Sequence, residues 1–142
     1  MVLFVDYLLN LKCDYMSISV LMSIYRAEKP DYLIMSLHSI INQTMYVSEI
    51  IIVEDGPLTI ELYSILDEFE SKYPIIRRLS LSENHGLGFA LSEGLKLCSN
   101  ELVARMDTDD ICKPNRFEVQ VEFMEKNHEV DVLGTWIDEF FD

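Results

Sequence analysis

Three carboxylates fall within four residues at Asp107, Asp109 and Asp110, directly after the apolar run Leu102-Val103-Ala104 and shortly before Pro114-Asn115-Arg116. Like charges at this spacing raise one another's proton affinity, so the arrangement is costly unless a cation or hydrogen-bond donors hold it. Carboxylate oxygens are hard ligands that suit Mg²⁺ or Mn²⁺, ions that take one or two protein carboxylates and complete their shell with water and substrate phosphates. An acidic surface turn has the same local composition, because aspartate is a common turn residue. The surrounding elements decide between the two.

Those elements alternate. Apolar runs at 17–23, 49–53, 75–81 and 102–106 predict buried strands, and the unbroken run EIIIV is what a strand covered on both faces requires. Between them, Leu33, Ile34, Leu37, Ile40 and Ile41 mark one face of a helix with Asp31 placed to cap it. Leu58, Leu62, Ile65, Leu66 and Phe69 mark a second helix, ending near Tyr73. Leu87, Leu91 and Leu95 mark a third, and Phe117, Val121 and Met124 a fourth, after which VDVL at 130–133 predicts a fifth strand. Alternation of this kind gives an α/β fold, a mostly parallel sheet flanked by helices on both faces.

In such sheets ligands bind outside the carboxyl ends of the strands. The polar residues collect there: Ser23 and Tyr25 after the first strand, Glu54 and Asp55 after the second, Asn84, Gly86 and Gly88 after the third, and the acidic loop after the fourth. Their convergence favours a ligand site over an acidic turn.

Composition narrows the ligand. A formal net charge of −14 disfavours nucleic acid and anionic lipid as nonspecific partners and favours a divalent cation. Three cysteines, Cys13, Cys98 and Cys112, leave an odd count with no C-x-x-C pair, which fits a reducing compartment. Asp6 interrupts the longest apolar run, so the sequence predicts no membrane span and a cytoplasmic protein. Residues 1–15 have neither a basic start nor a small-residue cleavage site and read as an N-terminal extension or helix before a domain covering 16–142.

The G-x-G-x-x-G turn of dinucleotide binders and the G-x-x-x-x-G-K-[ST] phosphate loop are both absent. A haloacid-dehalogenase-like phosphatase would carry its paired aspartates after the first strand of its core, not the fourth. His85 and His128 are isolated, with no Ser, His and Asp set for acyl transfer.

Four segments, in order, resemble family 2 glycosyltransferases: Ser19-Val-Leu-Met-Ser-Ile-Tyr25, Val53-Glu54-Asp55-Gly56, Asn84-x-Gly-x-Gly-x-Ala-Leu-x-x-Gly94 and Asp107-Thr-Asp-Asp-x-x-x-Pro-x-Arg116. The resemblance implies a GT-A fold, a nucleotide-diphosphate sugar donor with UDP-sugar foremost, and an inverting transfer in bacterial surface polysaccharide or glycan synthesis. It implies that Ser23, Tyr25 and Glu54 lie beside the nucleoside, that Asp55 accepts a hydrogen bond from the base, and that Asn84, Gly86 and Gly88 wall the ribose and diphosphate. Asp107, Asp109 and Asp110 would then hold Mn²⁺ or Mg²⁺ in a D-x-D motif, with Asp107 also meeting the ribose. The acceptor would be a glycan or lipid-linked, reached at the inner face of the membrane. Relatives often carry a basic residue in the glycine loop, where this chain has Phe89. They also continue into an acceptor-binding half with the catalytic base, so that base is expected outside this chain. The surface awaiting that half, around Trp136, Phe140 and Phe141, is expected to favour self-association. A metal-dependent nucleotidyltransferase and a non-catalytic nucleotide-binding module are the alternatives.

Overall fold

The computed structural model describes residues 17–139, so the expectations for residues 1–15, Phe140 and Phe141 lie outside it. Its chain order is β1 (Ile18–Ile24), α1 (Pro30–Ile41), β2 (Glu49–Glu54), α2 (Ile60–Lys72), β3 (Ile76–Ser80), α3 (Leu87–Leu95), β4 (Leu102–Met106) and α4 (Arg116–Lys126). The four strands form one parallel sheet in the order β3-β2-β1-β4, as the alternation predicts.

Strand periodicity divides the core. Val20, Met22, Ile50 and Ile52 face α1, α2 and α4 and bury Leu33, Leu37, Leu62, Leu66, Phe117 and Val121 with them. Complete burial of one such side chain contributes roughly 1.5–3 kcal/mol. The alternate residues Leu21, Ile51 and Val53 face α3 and pack on Ala90. Gly94 permits this close approach, since a Cβ there would lie 2.5 Å from Leu21 Cδ1 and 2.6 Å from Val53 Cγ2.

Two local expectations are corrected. Helix α1 starts two residues earlier than a cap at Asp31 requires: Lys29 is the N-cap and Pro30 opens the helix, where its missing N–H costs nothing. The fifth strand at 130–133 does not form among the described residues. Val132 is 88% exposed there, with no strand partner to cover it, and Trp136 is fully exposed beyond it.

The order of the strands positions the site. From β1 the chain moves outward through β2 and β3, then returns to the other side of β1 for β4. The strand order thus reverses at β1: α1, α2 and α4 cover one face and α3 the other, and a crevice opens at the carboxyl ends of the strands beside this switch point.

Candidate functional site

A cleft of about 390 Å³ occupies that crevice. Ser23 and Tyr25 line it from the end of β1, Asp55 from β2, Asn84 and Gly86 from the loop before α3, and Asp107 and Asp109 from the end of β4. Residues more than eighty positions apart thus share one opening, because every strand of the sheet points the same way. Tyr25 is 50% exposed, which leaves the residue accessible to a ligand in the cleft.

Asp55 is 4% exposed and braces the neighbouring loop. Its Oδ1 accepts the N–H of His85 at 2.8 Å, its Oδ2 accepts the N–H of Gly86 at 2.9 Å, and its carbonyl accepts Asn84 Nδ2 at 3.2 Å. Each carboxylate oxygen keeps a further lone pair for a ligand donor. Gly56 has φ +85°, and a Cβ there would sit 2.7 Å from Asn84 N. The loops after β2 and β3 are therefore laced together through main-chain atoms. The His85 and Phe89 rings meet at a tilt of 40° with centroids 4.6 Å apart, beside the loop that Asp55 braces.

The acidic loop is anchored from α1 and the residues before it. Ser36 Oγ donates to the Asp107 carbonyl at 3.0 Å, Ser39 Oγ accepts Cys112 N–H at 3.0 Å, and Gln43 Nε2 donates to the Lys113 carbonyl at 2.9 Å. The Thr108 hydroxyl donates to the Glu28 carboxylate, and Arg105 pairs with the Asp107 carboxylate. Burial pushes the Asp110 carboxyl above the ordinary aspartate value, and the charges of Asp107 and Asp109 add to it against the pull of Arg116 and Arg105. Arg116 is tied down beneath the loop, with Nε donating to Gln120 Oε1 at 3.1 Å and Nη2 to the Arg105 carbonyl at 3.2 Å.

Three residues named from the sequence do not line the cleft. Glu54 is 1% exposed and faces the opposite side of the sheet, where Arg78 Nε donates to it at 2.5 Å and Ser80 Oγ at 2.6 Å. It is a structural anion between β2 and β3. Gly88 lies within α3, one helical step from the lining, and Asp110 stands behind Asp109. Conversely, Glu28, Leu87 and Thr108 line the cleft without having been singled out. Thr108 was legible as the residue between two aspartates; Glu28 carried no comparable signal.

Among the described residues, no three His, Cys, Asp or Glu side chains form a ready metal cage. Asp107, Asp109 and Asp110 are thus not a preassembled three-ligand set. Asp107 and Asp109 on one wall nevertheless match the needs of Mg²⁺ or Mn²⁺, which take one or two carboxylates and fill the remaining positions with water and phosphate oxygens.

The family model for glycosyl transferase family 2 matches residues 19–142. The chain belongs to glycosyl transferase family 2. It is 46% identical over 125 residues to an uncharacterized glycosyltransferase of Haemophilus influenzae, covering 88% of this chain and 46% of that protein. It is 43% identical over 127 residues to a UDP-Gal:alpha-D-GlcNAc-diphosphoundecaprenol beta-1,3-galactosyltransferase of Escherichia coli, covering 89% of this chain and 46% of that one. It is 43% identical over 122 residues to the amylovoran biosynthesis glycosyltransferase AmsE of Erwinia amylovora, covering 86% and 46%. The chain therefore spans less than half the length of these relatives. The fold is that of S. aureus TarS 1-349, solved in complex with UDP-GlcNAc: TM-score 0.70 at 24% identity, over 80% of this chain and 32% of that one. This supports the GT-A class of the parallel sheet described above. No described helix is long and apolar enough to cross a membrane.

Proposed function

We propose that this chain is the donor-binding part of an inverting glycosyltransferase that takes a UDP-sugar with Mn²⁺ or Mg²⁺ and delivers the sugar to a glycan or lipid-linked acceptor in bacterial surface polysaccharide synthesis. The observation that carries the reading is the placement of Tyr25, Asp55, Asp107 and Asp109 around one cleft at the switch point of a family 2 sheet. The Escherichia coli relative is named for a UDP-sugar donor and a diphosphoundecaprenol-linked acceptor, and the TarS neighbour holds UDP-GlcNAc.

In this reading the uracil ring stacks on Tyr25, and its N–H donates to Asp55, whose carboxylate is already oriented by His85 and Gly86. Asn84 and the Gly86 backbone wall the ribose and diphosphate. Asp107 and Asp109 would hold the divalent ion, which would supply positive charge against the diphosphate leaving group. Among the described residues the cleft lining contains no lysine, arginine or histidine, which favours carboxylates that recruit a cation as the means of binding an anionic donor. An acceptor hydroxyl attacks the anomeric carbon from the face opposite the leaving UDP, and a base takes its proton.

Equilibrium dialysis with labelled UDP-galactose and UDP-N-acetylglucosamine, with and without Mn²⁺, tests the proposal. Retention of a UDP-sugar that depends on Mn²⁺ and is lost on excess UDP supports it. Equal retention of unrelated sugar phosphates, or none of either nucleotide sugar, contradicts it.

A further inference from the structure

Glu28 lies on the loop between β1 and α1, and Thr108 on the loop after β4, so their hydrogen bond spans the switch-point crevice across eighty residues of chain. Both side chains line the cleft. The Glu28 carboxylate is oriented before it reaches Thr108, because its Oε1 accepts the Lys29 N–H at 2.9 Å and leaves Oε2 for the threonine hydroxyl. Thr108 is 3% exposed, so little water competes for that hydroxyl, and its β-branched side chain is stiff about χ1. One residue earlier, the Asp107 carbonyl is held by Ser36 Oγ at 3.0 Å.

Two successive pins therefore act on the segment between the two cleft-lining aspartates. They work against a local force, since Asp107, Asp109, Asp110 and Glu28 itself repel one another when ionised. With Thr108 turned inward and the Asp107 carbonyl fixed, the flanking carboxylates have little freedom to swing away.

We propose that Glu28 is a positioning residue for the acidic loop: through the Thr108 hydroxyl it fixes the direction in which Asp107 and Asp109 present their carboxylates to the cleft. The role rests on the donor-site reading above. It acts through the Thr108 hydroxyl, which separates it from direct ligation by Glu28, where the loss of that hydroxyl would not matter.

The test compares wild type with Thr108→Val, Thr108→Ser, Glu28→Ala and Glu28→Gln in two measurements. Hydrogen–deuterium exchange over residues 107–113, without ligand, reads the clasp itself. Electron paramagnetic resonance of free Mn²⁺, titrated in the presence of UDP, reads metal–nucleotide binding. Thr108→Val and Glu28→Ala are expected to speed exchange and weaken Mn²⁺–UDP binding about tenfold, Thr108→Ser to stay within about threefold of wild type, and Glu28→Gln, with one acceptor oxygen where the carboxylate uses two, to fall between. Thermal melts report folding, and if Thr108→Val does not fold, the Glu28 pair decides alone. Unchanged exchange and binding in Thr108→Val and Glu28→Ala would overturn the proposal. So would lost binding in Glu28→Ala with wild-type binding in Thr108→Val, which would make Glu28 a direct ligand. Faster exchange in the variants with no Mn²⁺–UDP binding by wild type would overturn the donor-site reading, and the positioning role with it.

Discussion

The Asp55 carboxylate accepts the backbone N–H of Gly86 at 2.9 Å, joining the end of β2 to the first residue ahead of α3. That bond fixes Gly86 at φ 87°, ψ 159°, a conformation almost confined to glycine. Two glycines on these paired loops should respond differently to alanine. Gly86→Ala meets no atom within 4 Å and should cost only the backbone strain, about 1–3 kcal/mol. Gly56→Ala carries similar strain and also drives a Cβ to 2.7 Å from Asn84 N, so it should be the more destabilising of the two by urea denaturation. Equal midpoints for the two variants would show that the loops are not laced as described.

Glu54 should separate structure from ligand binding. It is buried at 1% exposure against Arg78, and removing one partner of a buried pair typically costs about 3–5 kcal/mol. Because Arg78 also bonds Asp67 at 2.5 Å, the loss for Glu54→Ala should fall at the low end, roughly 3 kcal/mol. The folded fraction should bind donor as wild type does. A stable Glu54→Ala protein with weakened nucleotide affinity would return Glu54 to the site.

At the opposite edge of the sheet, burial alone would raise the Glu49 carboxyl, but hydrogen bonds from Ser19 and Ser99 and the charge of Arg77 outweigh it and leave the value below normal. A depressed folded value stabilises the protein above the unfolded value, and the contribution is lost as pH falls through the folded one. Glu49→Gln should therefore cost roughly 1.5–3 kcal/mol at neutral pH, the range for hydrogen bonds to a charged group, with the difference closing under acid conditions below the usual glutamate value. Melting curves from pH 7 down to about pH 3, below the ordinary carboxylate range, check it. A gap that stays constant would contradict it.

Asp110 has the opposite sign. Its carboxyl is raised, so its favourable contribution is present at low pH and lost as pH rises through the folded value. Without divalent ions, Asp110→Asn should melt higher than wild type at neutral pH, and the two should converge in acid. Asp109→Asn should abolish Mn²⁺-dependent nucleotide binding with the fold intact. Wild-type binding by the Asp109 variant would remove that residue from the metal site.

Much of this was legible in the chain because the underlying physics is local. The run from Glu49 to Val53 is apolar on both sides, and a strand of that kind has to be interior to a covered sheet. Once the strands are parallel, the ends of β1, β2 and β4 have to meet at one edge, which brings Tyr25, Asp55 and Asp107 together. Glu54 was misplaced because a strand-end carboxylate serves either purpose. The discriminating signal was present in its spacing from Ile50 and Ile52, which puts it on their face, and in Arg78 on the adjacent strand. The Val130–Leu133 segment was read as a strand from its composition, but strand formation needs a partner edge, which local sequence does not encode. The Glu28–Thr108 bond was invisible because it depends on how two loops eighty residues apart are brought together by the sheet order.

Binding of UDP to the folded chain tests the donor-site reading most directly. Thermal unfolding and titration calorimetry should be run with UDP alone, Mn²⁺ alone and both together. Mass action predicts that both together, at one hundred times the dissociation constant, stabilise the fold by about 2.7 kcal/mol. UDP alone should produce a much smaller shift, and Asp109→Asn should erase the combined effect. A melting temperature and heat signal that UDP and Mn²⁺ together leave unchanged would contradict the account.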